Sequence, residues 1–293
     1  MSGWRLMADG VMRVLRTSTV RVLDGRDLEA VHALLDRDPV GNVFVSSRLR
    51  AAGLDPLRLG AEVWGYVADG EITALCYSGA NLVPVDAGPE AVRRFAEHAR
   101  WRGRRCSSIV GPVPAVRGMW ERLGPVWGPA RAIRARQPVM ELLAVPRADP
   151  DPLVRRVRPD ELDVLLPACI AMFTEEVGVA PDSGDGGALY RARVEELVRS
   201  GRAFARIEDG RVVFKAEVGA VTPYACQVQG VWVHPDLRGR GHAAAGMAAV
   251  ARFARTGIAP RVTLYVNDYN APARAVYRRV GFREVGEVMS VLF

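Results

Sequence analysis

The stretch Ala144-Val-Pro-Arg-Ala-Asp-Pro-Asp-Pro152 puts three prolines and two aspartates into nine positions near the middle of the chain. Proline has no amide hydrogen and a fixed φ, so neither a helix nor a central strand runs through such a segment. The 293 residues therefore divide into two halves, 1–146 and 153–293, each the size of an ordinary domain.

The halves repeat one pattern. Val20-Arg-Val-Leu23 followed by Asp27-Leu-Glu-Ala-Val-His-Ala-Leu-Leu35 reads as strand, turn and helix. Val154-Arg-Arg-Val157 followed by Asp160-Glu-Leu-Asp-Val-Leu-Leu166 reads the same way. Val63 to Gly79 is a hairpin about Asp69-Gly70, and Ala203 to Gly219 is a hairpin about Asp209-Gly210. Asp-Gly between alternating strands supplies the two positive φ angles of a tight hairpin turn. Each half continues with an extended segment, a helix, a strand and a short helix ending in Gly, the signature of an internal duplication. The expected fold class is α/β: in each half a mixed, mostly antiparallel sheet flanked by helices.

In the second half the strand Cys226 to Val233 leads into a helix from about Gly241 to Thr256, with Gly257 expected as its left-handed cap. A strand Arg261 to Val266, a helix Pro272 to Val280 capped by Gly281, and a last strand Phe282 to Phe293 follow. Between the first strand and helix lies Arg238-Gly-Arg-Gly-His-Ala243. Glycines at 239 and 241 allow close backbone approach to a ligand. The first amides of the next helix lack internal acceptors and sit at the positive end of its dipole, which suits a phosphate or pyrophosphate. The spacing is neither that of a mononucleotide P-loop nor that of a dinucleotide fold.

A second constellation is Asn267-Asp-Tyr-Asn-Ala-Pro-Ala-Arg-Ala-Val-Tyr-Arg-Arg-Val-Gly-Phe282. Ala273, Val276, Tyr277 and Val280 form one apolar stripe, so Tyr277 faces inward. Asn270 stands where a helix cap stands.

Taken together, the strand, Arg238-x-x-Gly241-x-Ala243, helix, strand, Asn270, Tyr277 and Gly281-Phe282 resemble the GNAT superfamily of CoA-dependent N-acetyltransferases, over residues 153–293. The resemblance implies that amides from Gly239 through Arg240, Gly241, His242 and Ala243 to Ala244 hold the CoA pyrophosphate. The backbone of Val231, Trp232 and Val233 would pair with the pantetheine arm, Asn270 would touch it, and Arg238 belongs to the motif. Tyr277 would protonate the departing thiolate. The Glu that some members carry as base is replaced here by Tyr265, leaving Glu217, Glu175 and Glu176 as candidate bases. The first half resembles a degenerate GNAT copy, with Val85-Asp-Ala-Gly-Pro89 in place of the loop and Trp120 in place of Tyr277. The implied activity is direct transfer of an acetyl group from acetyl-CoA to an amine acceptor. The alternatives are another acyl-CoA donor or a non-catalytic acyl-CoA sensor.

Composition narrows the remainder. Apolar residues make up 49% and charged residues 25%, with a net charge of +7 spread along the chain. That spread gives no concentrated basic tail and no nucleic-acid motif. Cys76, Cys106, Cys169 and Cys226 are far apart, and the four histidines lack ligand spacing, so neither a metal site nor a disulfide framework is expected. There is no signal-peptide pattern and no membrane-length apolar run, and the expected location is cytoplasmic.

Overall fold

The computed structural model describes residues 18–181 and 187–293. The first half contributes β1 (Ser18–Val22), α1 (Leu28–Leu35), α2 (Val43–Ala52), α3 (Pro56–Leu59), β2 (Glu62–Ala68), β3 (Glu71–Ser78), β4 (Asn81–Val85), α4 (Pro89–Arg102), β5 (Ser108–Pro112), α5 (Val113–Trp127) and β6 (Ala132–Leu142). The second half contributes β7 (Arg155–Arg156), α6 (Leu162–Val177), α7 (Ala188–Arg199), β8 (Ala203–Glu208), β9 (Arg211–Val221), β10 (Ala225–Val233), α8 (His242–Gly257), β11 (Arg261–Tyr265), α9 (Ala271–Val280) and β12 (Arg283–Leu292). The repeated order read from the sequence is thus present, and the sheet is mixed and covered by helices. Both hairpins turn as expected: Asp69 and Gly70 have φ of 52° and 87°, Asp209 and Gly210 of 48° and 70°.

The two sets of strands do not form two sheets. They join into one twelve-stranded sheet in the order β1-β2-β3-β4-β5-β12-β6-β11-β10-β9-β8-β7. β6 lies between β11 and β12, both from the second half, and β12 lies between β5 and β6, both from the first. Each half has exchanged its last strand with the other. The central β6–β12 pair runs antiparallel from Arg283 opposite Glu141 to Leu292 opposite Ala132. Arg136 on β6 reaches Glu287 on β12 at 2.8 Å across this seam.

Alternation along β8 and β9 places Phe204, Phe214, Ala216 and Val218 on the face covered by α8, in a core shared with Met247, Val250 and Tyr277. The opposite face packs Ala203, Ala205 and Trp232 under α6 and α7. The helix α8 lies close to the sheet because Gly246 faces the Phe214 ring: a Cβ there would stand 2.7 Å from it. One expectation fails: Gly257 is the last residue of α8 and not a left-handed cap. The chain leaves the helix through Ile258 (φ −126°), whose amide donates to Ala254 O at 2.8 Å, so no positive φ is required. No described helix is long and apolar enough to cross a membrane.

An exchanged pair of strands has a direct consequence. Residues 1–146 and 153–293 expressed separately should each expose unpaired strand edges and aggregate or remain partly folded. Co-expressed, they should assemble one-to-one. Size-exclusion chromatography with circular dichroism checks this, and two stable, folded monomeric halves would contradict it.

Candidate functional site

β10 and β11 run parallel but stay paired only from Ala225–Arg261 to Gln227–Thr263. β10 then continues to Val233, so the edge from Gln229 to Val233 carries no strand partner on that side. One extra residue is inserted in β10 here: Gln229 stands opposite Glu217 and Trp232 opposite Lys215. Gly230 sits in this bulge with φ +61°, and a Cβ on it would meet Glu217 Oε1 at 2.4 Å. A glycine bulge at a splayed edge lets another chain-like molecule approach the backbone closely. Val231 and Val233 are half-buried along this edge, while the Trp232 ring packs under α6.

At the end of that edge, Gly239 and Gly241 take φ of 77° and 88°. A side chain would have open space at both positions, so backbone geometry is what requires glycine there. Gly241 starts α8 in the left-handed region with no side-chain cap. The amides of Gly239, Arg240, Gly241, His242 and Ala243 have no acceptor among the described residues. The Ala244 amide, expected among the open ones, instead donates to Gly241 O at 3.1 Å. Five amides at a helix N-terminus remain, an arrangement that holds an anion. Arg238 is turned away from it: Nε donates to Val233 O at 3.1 Å and Nη2 to Glu175 Oε2 at 2.7 Å.

Tyr277 lies across the cleft on α9. Asn270 caps this helix, its Oδ1 accepting from the Ala273 amide at 3.1 Å. Gly281 closes it at φ +114°, with the Gly281 and Phe282 amides donating to Tyr277 O. The Tyr277 side chain is 7% exposed, and its hydroxyl has no hydrogen-bond partner among the described residues. Burial, reinforced by the Glu176 carboxylate, holds its pKa well above the ordinary tyrosine value, so it stays protonated.

The three candidate carboxylates stand in different surroundings. Glu175 is held by Arg238 and by Trp232 Nε1 at 3.1 Å. Glu217 is 7% exposed and 3.8 Å from the fully buried Lys215 ammonium, which also donates to Cys169 Sγ at 3.3 Å. Burial opposes the charge on Lys215, but Glu217 and Cys169 outweigh it and keep the ammonium protonated. Glu176 has a side chain 45% exposed. Its Oε1 accepts from Arg134 Nη1 at 2.7 Å and from Asn267 Nδ2 at 3.0 Å.

Those partners of Glu176 were not singled out in the sequence. Arg134 belongs to β6, in the first half. Asn267 Oδ1 accepts from Gln137 Nε2 at 3.0 Å, and Gln137 Oε1 accepts from Ser290 Oγ at 2.6 Å. Gln137, Asn267 and Ser290 are 1%, 4% and 5% exposed. A single line of buried donors and acceptors thus runs from β12 through β6 to the Glu176 carboxylate. Arg134 and Arg131 also donate to the carbonyls of Glu176 and Val177 at the end of α6, where the helix dipole favours cations.

Residues 178–282 match the model of the acetyltransferase (GNAT) family. The second half of the chain carries a GNAT domain. Residues 61–165 match a domain of unknown function, DUF4081, and no curated protein matches the chain in sequence. Solved structures resemble it over nearly its whole length. A GNAT acetyltransferase from Colwellia psychrerythraea is 13% identical, covers 94% of this chain and 99% of its own, and has a TM-score of 0.56. A GCN5-related N-acetyltransferase from Sphaerobacter thermophilus is 19% identical (93% and 94% covered, TM-score 0.58). A tandem GNAT protein from the clavulanic acid biosynthesis pathway is 16% identical (94% and 98% covered, TM-score 0.54). Both halves of this chain thus share the fold of tandem GNAT proteins.

Along the corresponding edge of the first half the described residues differ from those of β10 and its loop. β4 has Pro84 on the corresponding edge, where an amide is missing, and Gly111 on β5 fits so closely that a Cβ would be 3.2 Å from Pro84 O. Asp86 and Pro89 occupy the loop, and the Trp120 ring packs against Phe293 at 5.8 Å.

Cutting the buried line should show its contribution to the fold. Gln137→Leu leaves the Asn267 carbonyl and the Ser290 hydroxyl buried without partners, which costs about 1–3 kcal/mol. Urea denaturation measures it, and a loss below about 0.5 kcal/mol would mean that the line is not coupled to stability.

Proposed function

We propose that the GNAT domain transfers an acetyl group directly from acetyl-CoA to an amine, with Tyr277 and Glu176 as its catalytic residues. A GNAT domain serves acyl transfer from acyl-CoA, and the acetyl donor and amine acceptor are what we add for this chain. The open amides from Gly239 to Ala243 would hold the pyrophosphate, and the free edge of β10 from Gln229 to Val233 would pair with the pantetheine arm as an added strand. The thioester would then lie by the Gly230 bulge, between Tyr277 and α6.

In this reaction the amine nitrogen attacks the thioester carbon, the carbon–sulfur bond breaks, and the thiolate takes the Tyr277 proton. The Glu176 carboxylate takes the proton that the attacking amine gives up. The observation that carries this assignment is the placement of Glu176, whose carboxylate is held by Asn267 and Arg134 and reinforces the raised pKa of Tyr277. Among Glu175, Glu176 and Glu217, Glu176 is the one whose charge acts on the Tyr277 hydroxyl, and nearly half of its side chain is open to an incoming amine. Glu175 and Glu217 are then structural: one ties α6 to the loop, the other balances Lys215. The proposal includes one CoA per chain, because the loop at Asp86 sets a negative charge where a pyrophosphate would sit.

Tyr277→Phe should lower kcat by roughly 100-fold or more while the Kd for CoA stays near that of the wild type. Thiol release from acetyl-CoA over a panel of amines, amino acids and peptides measures the first quantity and calorimetry the second, which should also give a stoichiometry of one. Unchanged turnover in Tyr277→Phe would remove Tyr277 from the reaction. Thiol release from no acceptor, with CoA still bound, would favour a sensor.

The pH profile follows from the raised Tyr277 pKa. An acid acts in its protonated form, so a raised pKa moves the loss of activity to higher pH. In wild type, kcat should hold through pH 10, the ordinary tyrosine value. A fall centred at or below that value in a pH series would contradict the assignment.

A further inference from the structure

The first half encloses a cavity of about 350 Å3 far from the cleft between β10 and β11. It lies where β3 finishes and β4 begins, beside the last turn of α4, and is separated from β10 by the strands β5, β12, β6 and β11. This volume falls within the range of small-molecule sites. Trp64, Leu82 and Trp127 give it apolar and aromatic walls, and Glu62, Arg102 and Arg105 are its charged lining.

The charges do not cancel. Glu62 Oε2 accepts from Arg102 Nη2 at 2.7 Å and from Trp64 Nε1 at 2.9 Å, so Glu62 and Arg102 neutralise each other. Arg105 has no ion-pair partner among the described residues. Two further groups lack acceptors: Arg102 Nε and Trp127 Nε1 are buried without a hydrogen bond. Buried polar groups are seldom left so. These three unpartnered side-chain groups are donors, and one of them, Arg105, is a full cation.

The entrance has apolar surface to offer. Trp101 is 80% exposed, with the Arg102 guanidinium 5.8 Å from its ring centroid. Leu57 is 94% exposed and follows Pro56, which lines the cavity.

We propose that this cavity binds a small aromatic carboxylate. The carboxylate pairs with Arg105, and the ring sits among Trp64, Leu82 and Trp127. The ligand is bound by the half that lacks the CoA cleft, so it and CoA occupy the chain together.

Calorimetric titration of the full chain with indole-3-acetate and benzoate tests the proposal, with indole-3-acetamide as the neutral counterpart. One saturable site per chain is expected, and the carboxylate should bind about tenfold or more tightly than the amide, as a charge-assisted bond requires. Arg105→Gln should weaken binding by a similar factor. Ala80→Trp, an exposed position on the lining, should block the opening, and thermal melting reports whether that variant is folded. If it is not, Arg105→Gln decides. Saturating coenzyme A should leave the titration unchanged. The proposal is overturned if neither carboxylate binds saturably, if the amide binds as well as the acid, if Arg105→Gln binds like the wild type, or if coenzyme A displaces the ligand.

Discussion

The position of β6 between β11 and β12 is the constraint on which the rest of the molecule depends. A strand in the middle of a sheet must satisfy its amides and carbonyls on both sides. Here both sets of partners come from the other half, and β12 is held in the reciprocal way. The proline-rich segment between the halves is then a crossing and not a flexible tether. Arg147 donates its amide to Val280 O at 2.8 Å, and the Asp151 amide donates to Ala245 O at 3.0 Å. The crossing is therefore pinned to α9 and α8, the two helices that carry Tyr277 and the anion-binding loop.

This exchange makes the first half part of the second half's cleft. Arg134 reaches Glu176 because β6 lies next to β11, and Gln137 meets Asn267 for the same reason. The first half fixes the end of α6 through Arg131 and Arg134. In the proposed reaction Glu176 takes a proton from the amine while Tyr277 gives one to the thiolate, so a shift of α6 would carry the carboxylate away from the amine nitrogen. Among the described residues, none of the contacts to Glu176 comes from the loop that holds Asp86.

Much of this was legible in the sequence, for reasons of locality. An Asp-Gly turn, an amphipathic stripe and a glycine loop before a helix are each written within a few residues, and α9, α8 and both hairpins follow from them. Gly257 shows the limit of such a rule: a glycine after a helix usually caps it, but here the chain turned at Ile258 without needing positive φ. The strand exchange left no local trace, because β6 has the composition of an ordinary strand in either arrangement. Gln137 looked like an unremarkable polar residue. Its partners Asn267 and Ser290 are 130 and 153 positions away, and only the pairing of strands brings them together.

The same reasoning separates the three carboxylates that the sequence left equivalent. Glu175 and Glu176 are neighbours on one helix, yet their side chains point to different partners. Successive residues on a helix differ by about 100° in direction, so one faces Trp232 and Arg238 while the other faces Asn267 and Arg134. Glu217 lies beneath the Gly230 bulge, and its oxygen fills the space that a side chain at 230 would take. Replacing that glycine would displace Glu217 from Lys215 and leave a buried ammonium short of its counter-charge. The bulge that opens the edge of β10 and the buried pair beneath it are therefore one structural unit: the absence of a single Cβ at 230 leaves the bulge its shape and makes room for the carboxylate that neutralises Lys215.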